Sequence, residues 1–279
     1  MKKLLLASTA LVMSAGVAAA DVSLSGDGWM GVERDNSNDF NLISRARVTF
    51  TLSGETDTGL GFGGSFRADN AAATVNTAGA VNGAGGSVFI EGEFGRLSMG
   101  DVDSALQDQM FNTPHIGVLE NNQDSRITAL GSGPNPSALY SYSLDGFGVA
   151  LSVGQTNTNN QQASIGASYS FDGFGIAVGY EYQDNDDDHL LVSGQATFEG
   201  ITATGFYGRL SGNDQFGLAV ATSFDEIGVQ ARAKRDFAGN DHLGLGVTYD
   251  LGGGATMGAS ANRVTGLGTT ADAGISFSF

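Results

Sequence analysis

The chain has 279 residues with 43 Gly, 3 Pro and no Cys, and only 15% of its residues are charged. A formal net charge of −17 excludes nucleic acid as a partner, because phosphate recognition needs a basic footprint. The lack of Cys excludes disulfide stapling and any thiolate metal centre or nucleophile.

Met1-Lys-Lys3 gives a positive start, Leu4 to Val12 a short apolar run, and Ala18-Ala19-Ala20 a small-residue site. This is the pattern of a secretory signal peptide cut between Ala20 and Asp21. The expected division is therefore 1–20 as signal and 21–279 as the mature chain. Removing the two signal lysines leaves 11 basic against 30 acidic residues, a net charge of −19. No later segment supplies the ~18 consecutive apolar residues of a spanning helix. A membrane-spanning form of this chain has to be a barrel.

Strand patterns then recur, with no helical stretch, at 22–33, 41–53, 59–69, 85–93, 96–101, 137–144, 147–155 and 162–171. They continue at 174–183, 189–198, 201–210, 215–224, 227–234, 242–250, 255–263 and 270–279. Sixteen is an even number, as a closed antiparallel barrel requires. Connections fall into two classes. Asp145-Gly146, Asp172-Gly173 and Glu199-Gly200 are tight; 34–40, 70–84, 156–161, 184–188 and 235–241 are longer and polar. Short periplasmic turns and longer extracellular loops are the outer-membrane pattern. Asp145-Gly-Phe-Gly148 recurs as Asp172-Gly-Phe-Gly175, one hairpin later.

Period-two alternation assigns faces. Leu42, Val48, Phe50 and Leu52 point out while Arg45, Arg47, Thr49 and Thr51 point in; Phe62 and Phe66 point out while Ser65, Arg67 and Asp69 point in. Trp29 points inward, as a packing residue near the seam or a pore aromatic. A polar inner face in sixteen strands encloses water rather than a core. The last strand alternates to its end, with Ile275, Phe277 and Phe279 on one face and Asp272, Ser276 and Ser278 on the other.

About thirty-five residues, 102–136, lack a strand pattern, and a loop of that length is usually functional. It carries acids at Asp101, Asp103, Asp108, Glu120 and Asp124 beside apolar Leu106, Met110, Phe111, Ile116 and Leu119. Such a mixture fits a loop folded inward onto the wall. Asp184, Asp186 and Asp188 form a candidate divalent-cation set on an outer loop, bridging lipopolysaccharide phosphates; Gly and Glu are missing at the sixth and twelfth positions of an EF-hand. His115, His189 and His242 fall in or beside separate outer connections without zinc spacing, and no Gly-x-Ser-x-Gly elbow occurs, so no enzyme is expected.

Glu93-Phe-Gly-Arg-Leu-Ser-Met-Gly-Asp-Val-Asp-Ser-Ala105, Ala138-Leu-Tyr-Ser-Tyr142 and the terminal Phe279 resemble the general porins of Gram-negative bacteria. The similarity is to the alphaproteobacterial, Rhodobacter-type members. It implies a sixteen-stranded, all-β, trimeric transmembrane barrel in the outer membrane, whose third loop folds into the lumen. It further implies an eyelet of loop acids (Asp101, Asp103, Asp108, Glu120, Asp124) facing wall arginines (Arg45, Arg47, Arg67, Arg96). Arg96 sits beside a periplasmic turn. Phe279 would be the C-terminal barrel-assembly signal. The implied activity is passive diffusion of small hydrophilic solutes and ions. Implied partners are a homotrimer, outer-membrane lipids with lipopolysaccharide, and the barrel-assembly machinery; no cofactor is implied beyond calcium at the acidic loop. A solute-specific channel and a plugged structural or adhesive barrel are the alternatives.

Overall fold

The computed structural model describes residues 21–70, 81–83, 85–119, 127–130, 137–155, 161–184 and 187–279. The expected signal segment through Ala20, and with it Glu120, Asp124 and Asp186, lies outside the described residues. Asp21 opens the first strand.

One antiparallel sheet contains β1 (Asp21–Arg34), β2 (Phe40–Glu55), β3 (Gly61–Asn70), β4 (Val81–Gly83), β5 (Ser87–Gly92) and β6 (Gly95–Gly100). It continues with β7 (Ser137–Leu144), β8 (Phe147–Val153), β9 (Gln162–Phe171), β10 (Phe174–Gln183), β11 (Asp187–Phe198) and β12 (Ile201–Leu210). The series ends with β13 (Asn213–Phe224), β14 (Ile227–Arg235), β15 (Asp241–Gly252), β16 (Ala255–Val264) and β17 (Gly268–Ser278). β4 and β5 both pair with β3, so they are two parts of one stave. β1 pairs with β17 from Asp27↔Ser278 to Arg34↔Ala271 and closes the ring as sixteen staves. Each stave has a partner on both sides, and no edge is left to recruit another strand.

Tight turns gather at one end. Asp145-Gly146, Asp172-Gly173 and Glu199-Gly200 each place two consecutive residues at positive φ, the primed geometry whose twist matches that of paired strands. The opposite, loop end is less regular than the sequence suggests, because β12 and β13 are joined there by Ser211-Gly212 alone, also at positive φ. Two five-residue loops at this end share one construction. In 35–39 the Asp35 carboxylate accepts from the Ser37 and Asp39 amides at 2.8 and 2.9 Å. In 236–240 the Asp236 carboxylate accepts from the Asn240 amide at 2.9 Å and meets the His242 Nε2 at 2.9 Å. The fourth residue of each, Asn38 and Gly239, turns the chain with φ of 72 and 84°.

Alternation puts large side chains outside. Phe62, Phe66, Leu218 and Phe224 are exposed on the outer face, as their strand positions require, and Phe50 stacks on Phe66 at 4.7 Å. The inner face differs from a uniformly polar one. Beneath the long loop it carries Leu139, Leu191, Phe206, Ile43 and Trp29, all buried.

The long loop also contains a helical turn that the strand reading misses, α1 (Ala105–Gln109). Ser104 caps it, since its Oγ accepts from the Gln107 amide while the Gln107 Oε1 accepts from the Ser104 amide, each at 3.2 Å. That reciprocal pair satisfies two donors otherwise unpaired at a helix start. Leu106, Ile116 and Leu119 are buried, as an inward-folded loop demands. Leu106 joins Ile127, Leu191 and Phe206; Leu119 joins Trp29 and Ile43. Burying each leucine contributes roughly 1.5–3 kcal/mol.

Trp29 is the single tryptophan and reports on this packing. Leu119→Ala should cost about 2–5 kcal/mol of loop seating through the cavity it leaves, with the ring of strands intact. Trp29 emission should move to the red while the heat-modifiable migration of the folded barrel persists. The 236–240 loop gives a second test. Burial raises the Asp236 carboxyl, but hydrogen bonds from His242 and Asn240 outweigh it and bring the group to about 2, below its ordinary 3.8. The clasp therefore contributes stability above the unfolded value and loses it as pH falls through about 2. Amide exchange at Gly239 and Asn240, corrected for intrinsic rates, should stay slow down to about pH 3 and become fast near pH 2. Asp236→Asn should exchange fast throughout.

Candidate functional site

The strands use up their own backbone groups in the barrel ladders, so a loop laid on the wall must bond to inward side chains. Serines on neighbouring staves do this. Ser152 on β8, Ser164 on β9 and Ser193 on β11 accept from the amides of Ala105, Leu106 and Phe111, each at 2.9 Å. Gln230 on β14 accepts from Gly117 at 3.2 Å. The Gln215 side chain on β13 grips Thr128 twice, accepting from its amide at 3.2 Å and donating to its carbonyl at 2.7 Å. Arg232 donates to the Pro114 carbonyl at 3.1 Å, and the Lys234 Nζ lies 3.4 Å from the Thr128 hydroxyl.

Room for the loop comes from inward glycines. A β-carbon at Gly179 would stand 2.6 Å from Leu106 Cγ, at Gly246 2.9 Å from Ile116 Cγ2, and at Gly274 2.9 Å from Leu119 Cδ2. Contacts that close force a neighbour to move. The loop thus runs from α1 on β7–β10 round to β15–β17 and β1, and returns with residues 127–130 against β10 and β13. Past Ile43 on β2, which packs against Leu119, the wall of β2 to β6 faces the loop across the lumen.

The sequence-derived arginines are on that free wall. Arg45 is largely buried, 2.9 Å from Asp27 and 5.3 Å from the Trp29 ring centre; Arg47 and Arg67 are half-buried on β2 and β3. Of the loop acids, Asp101, Asp103 and Asp108 are exposed. Trp29 is 5% exposed and packs behind Leu119 and Arg45, a packing role at the seam and not an aromatic open to the lumen.

Arg96 is placed apart. It pairs with Glu91 at 3.3 Å and stacks on Phe89 at 3.6 Å. With Glu55, Glu91, Glu93 and Asp108 it lines a chamber of about 740 Å³ toward the turn end. Asp184 caps the next loop, accepting from the Gln161 amide at 3.2 Å, and Asp188 is exposed near the start of β11. Among the described residues no three His, Cys, Asp or Glu side chains converge as metal ligands do.

Two of the histidines expected in or beside outer connections stand near the starts of β11 and β15 and are buried there. His189 is fully buried on the inner wall, 3.2 Å from Glu181 and edge-on to Phe237 at 5.4 Å. His242 is 7% exposed against Asp236. Sequence reasoning also passed over Glu181, Gln215, Arg232 and Lys234. The strand period places all four inward between outward neighbours, but their partners lie 51 to 118 residues away.

The same shape occurs in solved structures. A porin refined at 1.8 Å resolution superimposes with a TM-score of 0.79 at 28% identity, over 93% of this chain and 100% of that one. A Rhodopseudomonas blastica porin mutant shares the fold at 21% identity and a TM-score of 0.74, over 92% of this chain and all of that one. In sequence, a porin of Rhodobacter capsulatus is 38% identical over 158 residues. That alignment takes in 51% of this chain and spans about half, 49%, of the curated relative's length. Residues 7–274 match the Gram-negative porin family, and the chain belongs to that family.

Proposed function

We propose that the protein is a passive diffusion channel for small hydrophilic solutes and ions across the bacterial outer membrane, with the inward loop as its constriction. The observation that carries this reading is the loop itself. It is fastened along one side of the inner wall and carries exposed acids at Asp101, Asp103 and Asp108, while Arg45, Arg47 and Arg67 occupy inward positions of β2 and β3. Opposed charges across a narrow wet gap orient dipolar solutes and impede apolar ones, which cannot repay the lost hydration of those groups. Arg45, Arg47 and Arg67 form the basic side of the eyelet. Arg96 belongs to an acid-rich vestibule on the turn side, and Arg232 and Lys234 serve loop seating. The acidic excess of the chain favours cations.

The barrel assembles as a homotrimer in this reading. An apolar concavity on its outer face, framed by Met30, Val32, Leu42, Met257 and Ile275, supports a neighbouring copy there. Lipopolysaccharide would meet the loop end.

Planar-bilayer recording under a salt gradient tests the proposal. The native protein should give ohmic steps, often in threes, with the reversal potential on the cation side. Arg45→Ser with Arg47→Ser should raise the cation-over-anion permeability ratio roughly two- to fivefold, the factor to which about 0.5–1 kcal/mol of lost anion attraction corresponds. Asp103→Asn with Asp108→Asn should lower it by a similar factor. Saturable block by one solute would replace passive diffusion with a solute-specific channel. A silent bilayer would point to a plugged barrel.

A further inference from the structure

Every loop anchor described above holds one stretch of the loop, with a single exception. Glu181 on β10 is fully buried, and its two carboxylate oxygens hold different limbs. Oε1 accepts from the Ser104 hydroxyl, at the cap of α1 where the loop enters the lumen. Oε2 accepts from the Leu130 amide at 2.7 Å, where the loop returns. His189 Nδ1 lies 3.2 Å from the same oxygen. The other ring nitrogen faces the Gln215 amide nitrogen at 3.4 Å, so the ring donates through Nδ1 and accepts through Nε2. Gln215 in turn grips Thr128. Each group bonded to the carboxylate is a donor, which is the set that carboxylate oxygens accept.

We propose that Glu181 is the positioning residue of the constriction, a staple that ties the loop's entry at Ser104 to its return at Leu130 and so sets the open cross-section of the lumen. The inference rests on the channel reading. It differs from the eyelet charges, because Glu181 is sealed behind the loop and touches no solute. A buried donor deprived of its acceptor costs about 1–3 kcal/mol, and three donors depend on this group. His189 and Gln215 hold the staple in place from β11 and β13. Within the loop itself Asn112 adds a second tie, its Oδ1 accepting from the Thr113 and Ile127 amides at 3.0 and 3.4 Å, but from the wall it is Glu181 that takes a donor from each limb.

The test compares Glu181→Gln, Glu181→Ala and Ser104→Ala in planar bilayers and in liposome-swelling assays with sugars of graded size. Glu181→Gln preserves volume but replaces one acceptor oxygen with a donor, so one limb is released. Expected are noisier open channels, higher conductance and a larger sugar cut-off in each variant, with the barrel still migrating as folded before heating. Ion preference should largely hold, since the eyelet charges are untouched; a general structural defect would shift both. Ser104→Ala added to Glu181→Gln should do little more than Glu181→Gln alone if the pair acts as a unit. Native conductance, noise and cut-off in folded Glu181→Gln and Ser104→Ala would overturn the proposal, even where Glu181→Ala fails to fold. If the native protein proves silent, the channel reading fails. A red shift of Trp29 emission in Glu181→Gln would still show the staple, and an unchanged emission would remove it.

Discussion

The structure depends on a shortage of free backbone acceptors. In a closed ring of strands the N–H and C=O groups of the wall are spent on one another. A segment laid across the lumen carries its own amides, and each one shut away from water without a partner is costly. Only inward side chains remain to accept them. That is why Ser152, Ser164 and Ser193 recur on staves close together, each at the height of one loop amide. They form a ladder for a strand that is not there. The loop does not choose its path by shape alone; it follows the acceptors.

The same constraint explains the glycines. Side chains large enough to fill the wall would hold the loop away from those acceptors, so the track must be shallow. Gly166 faces the Ala105 carbonyl, Gly175 the Phe111 ring and Gly258 a Val118 methyl, all beside outward aromatic or aliphatic neighbours such as Ile165, Phe174 and Met257. Under the loop, then, these glycines alternate with a few buried large residues such as Leu191, Phe206 and Trp29, which pack against the loop's own leucines. A composition with 43 Gly resembles low complexity when counted, yet many of these glycines sit at contacts where no other residue fits.

The strand faces were legible because they need only local alternation. Arg45, Arg47 and Arg67 could be placed inward from their neighbours alone, and so could the apolar loop residues Leu106, Ile116 and Leu119, whose burial follows from hydrophobicity. The helical turn left a local trace as well, in Ser104 and Gln107 at capping-box spacing, but five residues are too few for a helical period to emerge. What could not be read is which inward polar residue meets which loop atom. Glu181 and Ser104 are 77 positions apart and Arg232 and Pro114 are 118 apart. His189 reads as the first residue of a strand beside a polar connection, and its burial inside the ring is a property of closure.

In the proposed channel, anchoring and filtering fall on different residues and on different sides of the ring. The fastening groups, from Ser152 through Glu181 and Gln215 to Gln230, lie on β8 to β14. The arginines proposed for the eyelet lie on β2 and β3, roughly across the ring. A change at the anchors moves the loop without altering the charge on either face; a change at Arg45 or Asp103 alters the field without releasing the loop. Size limit and ion preference are then separable properties of one segment. The aspect they share is distance, because the interaction between fixed charges across water weakens as the gap opens and is screened beyond about 8 Å at physiological salt. A widened eyelet should thus weaken its own charge filter gradually, and most once the gap passes that length, so a modest loosening of the loop admits larger solutes while relaxing the discrimination between ions only in part.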